Sequence, residues 1–205
     1  MRIEFLGVSG VGKTTIARKY KANLEKEGKS VLWPTEDLYT KHGWFSRNAW
    51  KALAVIAFTA GHWKWVCGYA HFVYAEIGSV REAGKPIFNG IFLKLMLERA
   101  KEDGQVYLFD EGVLQLYWAL KLRSGKQVSS AQLEEMASRF ALSDQVVNVE
   151  ADAETIAKRI KTRGEYVRIL EVGDLLDAIS KMQCVQKEII RLVQGKTSVE
   201  RVVNN

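Results

Sequence analysis

The 205-residue chain reads as an α/β protein, a parallel sheet with helices on both faces. Three observations carry that reading. Short apolar runs recur along the chain and alternate with longer segments of helical period. The runs are mostly apolar, as strands buried on both faces tend to be. A glycine-rich turn joins the first run to the first helical segment.

Residues 2–7 (RIEFLG) form the first expected strand. A helix follows over 12–27, where Ile16, Ala17, Tyr20 and Leu24 recur at helical spacing and Gly28 stops it. Residues 30–34 (SVLWP) are a second strand ended by Pro34, and 35–49 a polar connection bearing aromatics. The apolar stretch 50–77 is helical in pattern, as are 90–102, 112–123, 130–141, 152–163 and 174–194. Residues 105–110 (QVYLFD), 145–149 (QVVNV) and 198–203 supply the remaining strands. Residues 125–130 (GKQVSS) are the clearest loop of the second half.

At 205 residues, 47% apolar and 26% charged, the composition is that of a globular chain and excludes disorder, collagen and a disulfide scaffold. A chain of this length buries about 70% of its unfolded surface and needs no metal or disulfide to fold. Lys and Arg outnumber Asp and Glu by 30 to 24, and this net +6 is spread along the chain, so no nucleic-acid polymer is expected as partner. Cys67 and Cys184 lie in no CxxC pair, and His42, His62 and His71 have no HxxxH spacing, which argues against zinc. Both cysteines read as small buried apolar side chains in a reducing cytoplasm. The first residues are too short an apolar run, and too acidic at Glu4, for a signal peptide.

The sharpest signal is Gly7-Val8-Ser9-Gly10-Val11-Gly12-Lys13-Thr14, which meets the pattern GxxxxGK[ST] between a strand and a helix. The glycines let backbone N–H groups of Ser9 to Gly12 turn toward phosphate oxygens. The helix start adds its positive end. Lys13 would reach the β- and γ-phosphates of ATP, Thr14 would ligate Mg²⁺, and Thr15 would continue the phosphate contacts in the first helical turn. An acid at the end of another buried strand completes such a site, and Asp110 after Val106-Tyr107-Leu108-Phe109 supplies it as a second Mg²⁺ residue. Glu111 beside it would activate water or bind an acceptor hydroxyl, unless both acids only cap the next helix.

Pro34-Thr35-Glu36-Asp37 falls at the carboxyl end of the second strand, on the rim where ligands gather in parallel sheets. Glu36 is the preferred base for an acceptor hydroxyl and Asp37 the alternate, against a reading in which both are solvated cap residues. Residues 33–74 hold 11 of the 21 aromatics, so this segment is either core or the wall of an acceptor pocket. Phe58, His62, Trp65, Tyr69 and Phe72 draw one helical face through it. Gly61 and Gly68 would let a neighbouring helix approach. His62, Lys64 and His71 interrupt the run, so no membrane span is expected. The segment remains a candidate homodimer face. Further along, Arg159 and Arg163 share a helix face and Arg168 follows Gly164. Arginines after the fourth strand suit a lid that closes over transferring phosphate, or else form a solvated basic face with Glu154 and Glu165.

The phosphate loop, the Asp110 strand end and the Arg159/Arg163 segment, in that order, resemble the P-loop kinases of small molecules. Within these, the thymidylate kinase and deoxynucleoside kinase branch is the most similar. The resemblance spans about residues 1–195. It implies a three-layer P-loop NTPase fold with a five-stranded parallel sheet in the order 2-3-1-4-5, Mg²⁺-ATP as donor, and a lid at about 159–172. It also implies an acceptor-contacting glutamate at Glu36. Two positions depart from the branch: Asp110 is followed by Glu111 and Gly112 where an arginine is usual, and Pro34 precedes Glu36 where a Glu-Pro pair is usual. The expected protein is one domain over 1–205, with a helical acceptor region at about 40–104. The expected activity is transfer of the γ-phosphoryl group to a nucleoside or nucleotide, otherwise to a sugar or another alcohol. The alternative is an ATPase or nucleotide-dependent switch acting with a protein partner.

Overall fold

The computed structural model describes residues 1–36, 44–100, 105–163 and 175–204, without the side chains of 44–47 and 163. Five strands form one sheet: β1 (Arg2–Leu6), β2 (Val31–Leu32), β3 (Val106–Phe109), β4 (Gln145–Glu150) and β5 (Ser198–Val203). All pairings are parallel and the order is β2-β3-β1-β4-β5, as the resemblance implies. Ile3 lies between Leu108 of β3 and Gln145 of β4, so β1 is the central strand. Phe5, Leu6, Leu108 and Val147 are fully buried there.

The helices among the described residues are α1 (Lys13–Lys26), α2 (Trp44–Ile77), α3 (Val80–Arg99), α4 (Val113–Ser124), α5 (Ser130–Phe140), α6 (Ala153–Arg163) and α7 (Leu175–Val193). Most expected boundaries hold within two residues. β2 is shorter than expected because it pairs on one side only and Pro34 follows one residue beyond its end. The larger correction is α3, expected from residue 90 and observed from Val80. Ser79 caps it by accepting from the Glu82 N–H at 3.4 Å, a capping-box pair legible as Ser-x-x-Glu. Pro86 inside the helix hid that start, since proline lacks the donor an interior turn needs. Among the described residues no helix is long and apolar enough to cross a membrane.

α2 is kinked at His62 (φ −129°, ψ 29°), next to Gly61. Phe58, Tyr69 and Phe72 on the expected aromatic face are buried in the core. Trp65 and Tyr69 stack and both meet the Phe140 ring edge-on, tying α2 to α5. The glycine that permits close approach is Gly90 of α3, where the Tyr69 ring fills the space of a Cβ. Gly61 faces open space, contrary to the sequence reading. A second correction concerns Cys67 and Cys184, which are both exposed because each lies on the outward face of its helix.

Candidate active site

The phosphate loop is built by β1 handing the chain to α1. Gly10 (φ 82°) and Gly12 (φ 96°) both take the left-handed conformation that turns the backbone over. A Cβ at Gly7 would stand 2.8 Å from Val11 Cγ1 and 2.9 Å from the Val149 carbonyl, so the loop is packed where it leaves β1. The α1 N-terminus has no side-chain cap and no acid in its first turn, which leaves its positive end available to an anion. Lys13 Nζ donates to the Gly7 carbonyl at 2.6 Å and the Val8 carbonyl at 3.3 Å, arching over the loop. Thr14 and Thr15 stand in the first turn.

Three long-range contacts hold this loop, and of the residues that reach it the sequence singles out Arg159 alone. Gln115 Oε1 accepts from the Gly7 N–H at 3.2 Å and anchors the loop to α4. Asn204 Nδ2 donates to the Val11 carbonyl at 2.8 Å, directly over Gly12, whose missing Cβ makes the room. Arg159 donates to the same Val11 carbonyl at 3.2 Å and to the Asn204 carbonyl at 2.9 Å. The first expected lid arginine therefore stands at the phosphate loop. The Arg163 side chain and residues 164–174 lie outside the described residues.

Asp110 follows β3 on the same rim. Its Oδ1 accepts from Thr35 Oγ1 at 2.5 Å and from Trp33 Nε1 at 3.2 Å, which fixes the carboxylate. Those donors occupy Oδ1, and Oδ2 makes no described hydrogen bond. The Thr14 hydroxyl likewise has no partner among the described residues. One carboxylate, one hydroxyl and bound phosphates are the hard-oxygen set that Mg²⁺ takes, so these residues fit that ion.

Below this rim sits Glu4, a fully buried carboxylate in the middle of β1. It accepts from the Leu114 N–H at 2.7 Å and the Gln115 N–H at 3.0 Å, the open donors at the start of α4. Its Oε2 lies 2.5 Å from where a Gly112 Cβ would be. The chain can pass from Asp110 into α4 here only because residue 112 is glycine. Burial raises the Glu4 pKa from 4.5 to about 7, more than the helix N–H bonds lower it.

A cavity of about 290 Å³ opens beside the loop. Ser9, Lys13, Thr35, Glu111 and Gln115 line its inner end. Its apolar wall is mainly α3, through Phe92, Leu93 and Met96, facing Leu116 and Ala119 of α4. Thus the aromatic face of α2 belongs to the core, while α3 shapes the pocket. Of the three acids weighed as base, Glu111 lines the cavity. Glu36 instead receives both Arg18 Nε (3.1 Å) and Nη2 (2.8 Å) on one oxygen. Asp37 lies outside the described residues.

This parallel sheet order with its phosphate loop is a P-loop NTPase fold, and solved kinase structures share it. The chain is similar to deoxyadenosine kinase from M. mycoides. In that enzyme's structure with the products dCMP and a flexible dCDP bound, the match covers 98% of this chain and 90% of that one, at 16% identity and TM-score 0.53. In its dATP-bound structure the match covers 99% and 91%, at 17% identity and TM-score 0.50. No protein-family model and no curated protein matches the sequence.

Proposed function

We propose that the protein is an ATP-dependent kinase. It would transfer the γ-phosphoryl group to a small hydroxyl or phosphate acceptor, with a nucleoside or nucleotide ahead of a sugar or another alcohol. The observation that carries this reading is the cavity beside the phosphate loop, with Lys13, Ser9 and Glu111 at its inner end. A pure ATPase needs room for a water there; this space is sized for an organic acceptor. The kinase fold shared with deoxyadenosine kinase supports the same reading.

The loop N–H groups and Lys13 would hold the β- and γ-phosphates, and the α1 N-terminus adds its positive end. Thr14, and Asp110 directly or through water, would hold Mg²⁺, which would neutralise charge on the phosphates. Glu111 would orient or deprotonate the acceptor hydroxyl, with Glu36 and Asp37 as alternates. Arg159, and Arg163 with the rest of a lid at about 159–172, would neutralise the transferring group and exclude water. We read residues 1–205 as one such domain, acting in the cytoplasm.

The test is ADP production from Mg²⁺-ATP with pooled nucleosides, nucleoside monophosphates, sugars and amino-alcohols. Lys13→Ala is expected to lower transfer at least ~100-fold with the fold intact. Glu111→Gln should lower kcat while leaving ATP affinity alone, and Glu36→Gln should do less. Transfer undiminished in folded Lys13→Ala protein would remove the assignment. Hydrolysis indifferent to every pool would select the ATPase reading.

One observation bears on partners. Leu53, Ile56 and Trp63 on α2 are 67%, 66% and 59% exposed, and Tyr74 continues the stripe. Leu53 and Ile56 precede the His62 kink while Trp63, Cys67 and Tyr74 follow it, and apolar groups exposed on both segments suit pairing with a second copy. Sedimentation of wild type and Trp63→Glu tests this: a dimer is expected for the first and a monomer for the second. A monomeric wild type at high concentration would end the dimer reading.

A further inference from the structure

We infer that the ligand of the α3–α4 cavity carries a negative charge at its end remote from the phosphate loop. The cavity is a groove with two chemically different ends. Lys13, Glu111 and Gly112 mark the inner one. Along α4 the lining runs from Gly112 to Arg123, about 16 Å at the helical rise. Along α3 it runs from Met96 back to Lys85, about the same length. Arg123 meets Glu82 of α3 at 3.1 Å, so the start of α3 lies beside the end of α4. Lys85, one turn further along α3, therefore shares the outer end with Arg123.

Among the described residues the charges along this groove are mostly positive: Lys13, Lys51, Lys85 and Arg123 line it with one acid, Glu111. Lys13 and Glu111 belong to the transfer chemistry. Lys51 stands over the Phe92 ring at 4.9 Å, midway along the wall. At the outer end Lys85 has no ion pair among the described residues, and Arg123 shares its charge only with the exposed Glu82. Between the two ends the wall is apolar, through Phe92, Leu93, Leu116 and Ala119. A groove built this way selects an elongated molecule with a hydroxyl at one end, an apolar or flat middle, and a carboxylate or phosphate at the other. Asn89 lines the same wall and can donate to or accept from the middle of such a ligand.

Calling this ligand the phosphoryl acceptor rests on the kinase reading, whereas the charge preference of the groove does not. Within that reading, the inference favours an acidic alcohol, or a nucleotide whose phosphate is not the acceptor group, over a neutral nucleoside.

The experiment is isothermal titration of the whole protein with ω-hydroxyoctanoate and with the octanediol of equal length, which differ only in the far-end charge. The hydroxy acid is expected to bind at least ~10-fold tighter at low salt, with the preference shrinking as salt screens the outer end. In the Lys85→Ala/Arg123→Ala double variant the two affinities should fall within about twofold of each other. Both residues are exposed, so the fold survives, as an unchanged melting temperature would verify. Equal affinities in the wild type, a preference that survives the double substitution, or binding of neither probe overturns the inference. Phosphoryl transfer is read in a separate arm with Mg²⁺-ATP. A charge preference without transfer to any acceptor would remove the kinase reading and leave the anion-selective groove standing.

Discussion

Glu4 offers a perturbation whose size can be worked out in advance. Its carboxyl is shut inside the central strand, and desolvation raises its pKa from 4.5 to about 7 despite the helix N–H groups aimed at it. A carboxyl whose folded value lies above its unfolded value keeps its proton in the folded protein over the interval between them. The folded state then binds more protons than the unfolded state, so stability falls as pH rises through that window. At about 1.4 kcal/mol per pKa unit, the whole shift is worth about 3 kcal/mol, of which about 2 to 3 kcal/mol falls between pH 5 and 8. Glu4→Gln preserves the shape. Its Oε1 can still accept from Leu114 and Gln115, and its Nε2 can donate to Ser143 Oγ, which stands 3.4 Å from the present Oε2. The assay is urea unfolding of wild type and variant at pH 5, 6, 7 and 8. Other titrating groups cancel in the difference between the two proteins. The variant should gain about 2 to 3 kcal/mol on the wild type across the series, being relatively most favoured at pH 8. Parallel pH profiles would refute the reasoning, because they would mean that Glu4 is solvated or already ionised at pH 5.

The remaining predictions concern the other buried charge and the loop. Lys121, buried between α2, α4 and α5, donates to Glu76 at 2.7 Å and also to Gln132. Lys121→Met should cost about 3 to 5 kcal/mol in denaturant unfolding by stranding the Glu76 carboxylate, and Glu76→Leu in addition should restore most of it. A single-variant cost under about 1 kcal/mol would show that water or Lys126 neutralises Glu76. Gly12→Ala would force an L side chain into φ 96° and onto Asn204 Nδ2, so it should lose ATP binding measured by titration while costing about 1 to 3 kcal/mol of stability. Unchanged ATP affinity there would mean that the loop is not the phosphate cradle.

The two buried polar clusters divide their work by position. Glu4 and Gln115 sit under the phosphate loop and couple β1, the loop and the start of α4 through three hydrogen bonds. Glu76, Lys121 and Gln132 lock the far ends of α2 and α4 to α5. The α4 wall of the cavity is thus held at both ends.

What the sequence determined is what local chain geometry dictates. GxxxxGK[ST] between a strand and a helix can hardly do other than curl a backbone nest against a helix start, and Gly10 and Gly12 do take the left-handed conformation it needs. Short, mostly apolar runs separated by helices pointed to a parallel sheet, and the resemblance those motifs carried supplied its order, which the pairings match. Asp110 was legible because an acid ending a buried strand lands on the ligand rim. The tertiary structure alone decided the rest, since contact partners lie too far apart in the chain for spacing to register them. Gln115 reaches Gly7 across 108 positions, and Asn204 reaches Val11 across 193. The aromatic period of α2 told which residues share a face but not what that face meets, and it met the core while α3 took the pocket. Glu36 sits on the expected rim, yet Arg18 on the neighbouring helix claims its carboxylate, a choice made only once α1 and β2 lie side by side. Glu4 falls in a run that the sequence marks as a buried strand, but nothing there tells what meets its carboxylate. Only the pairing of β1 between β3 and β4 buries it beneath a helix end.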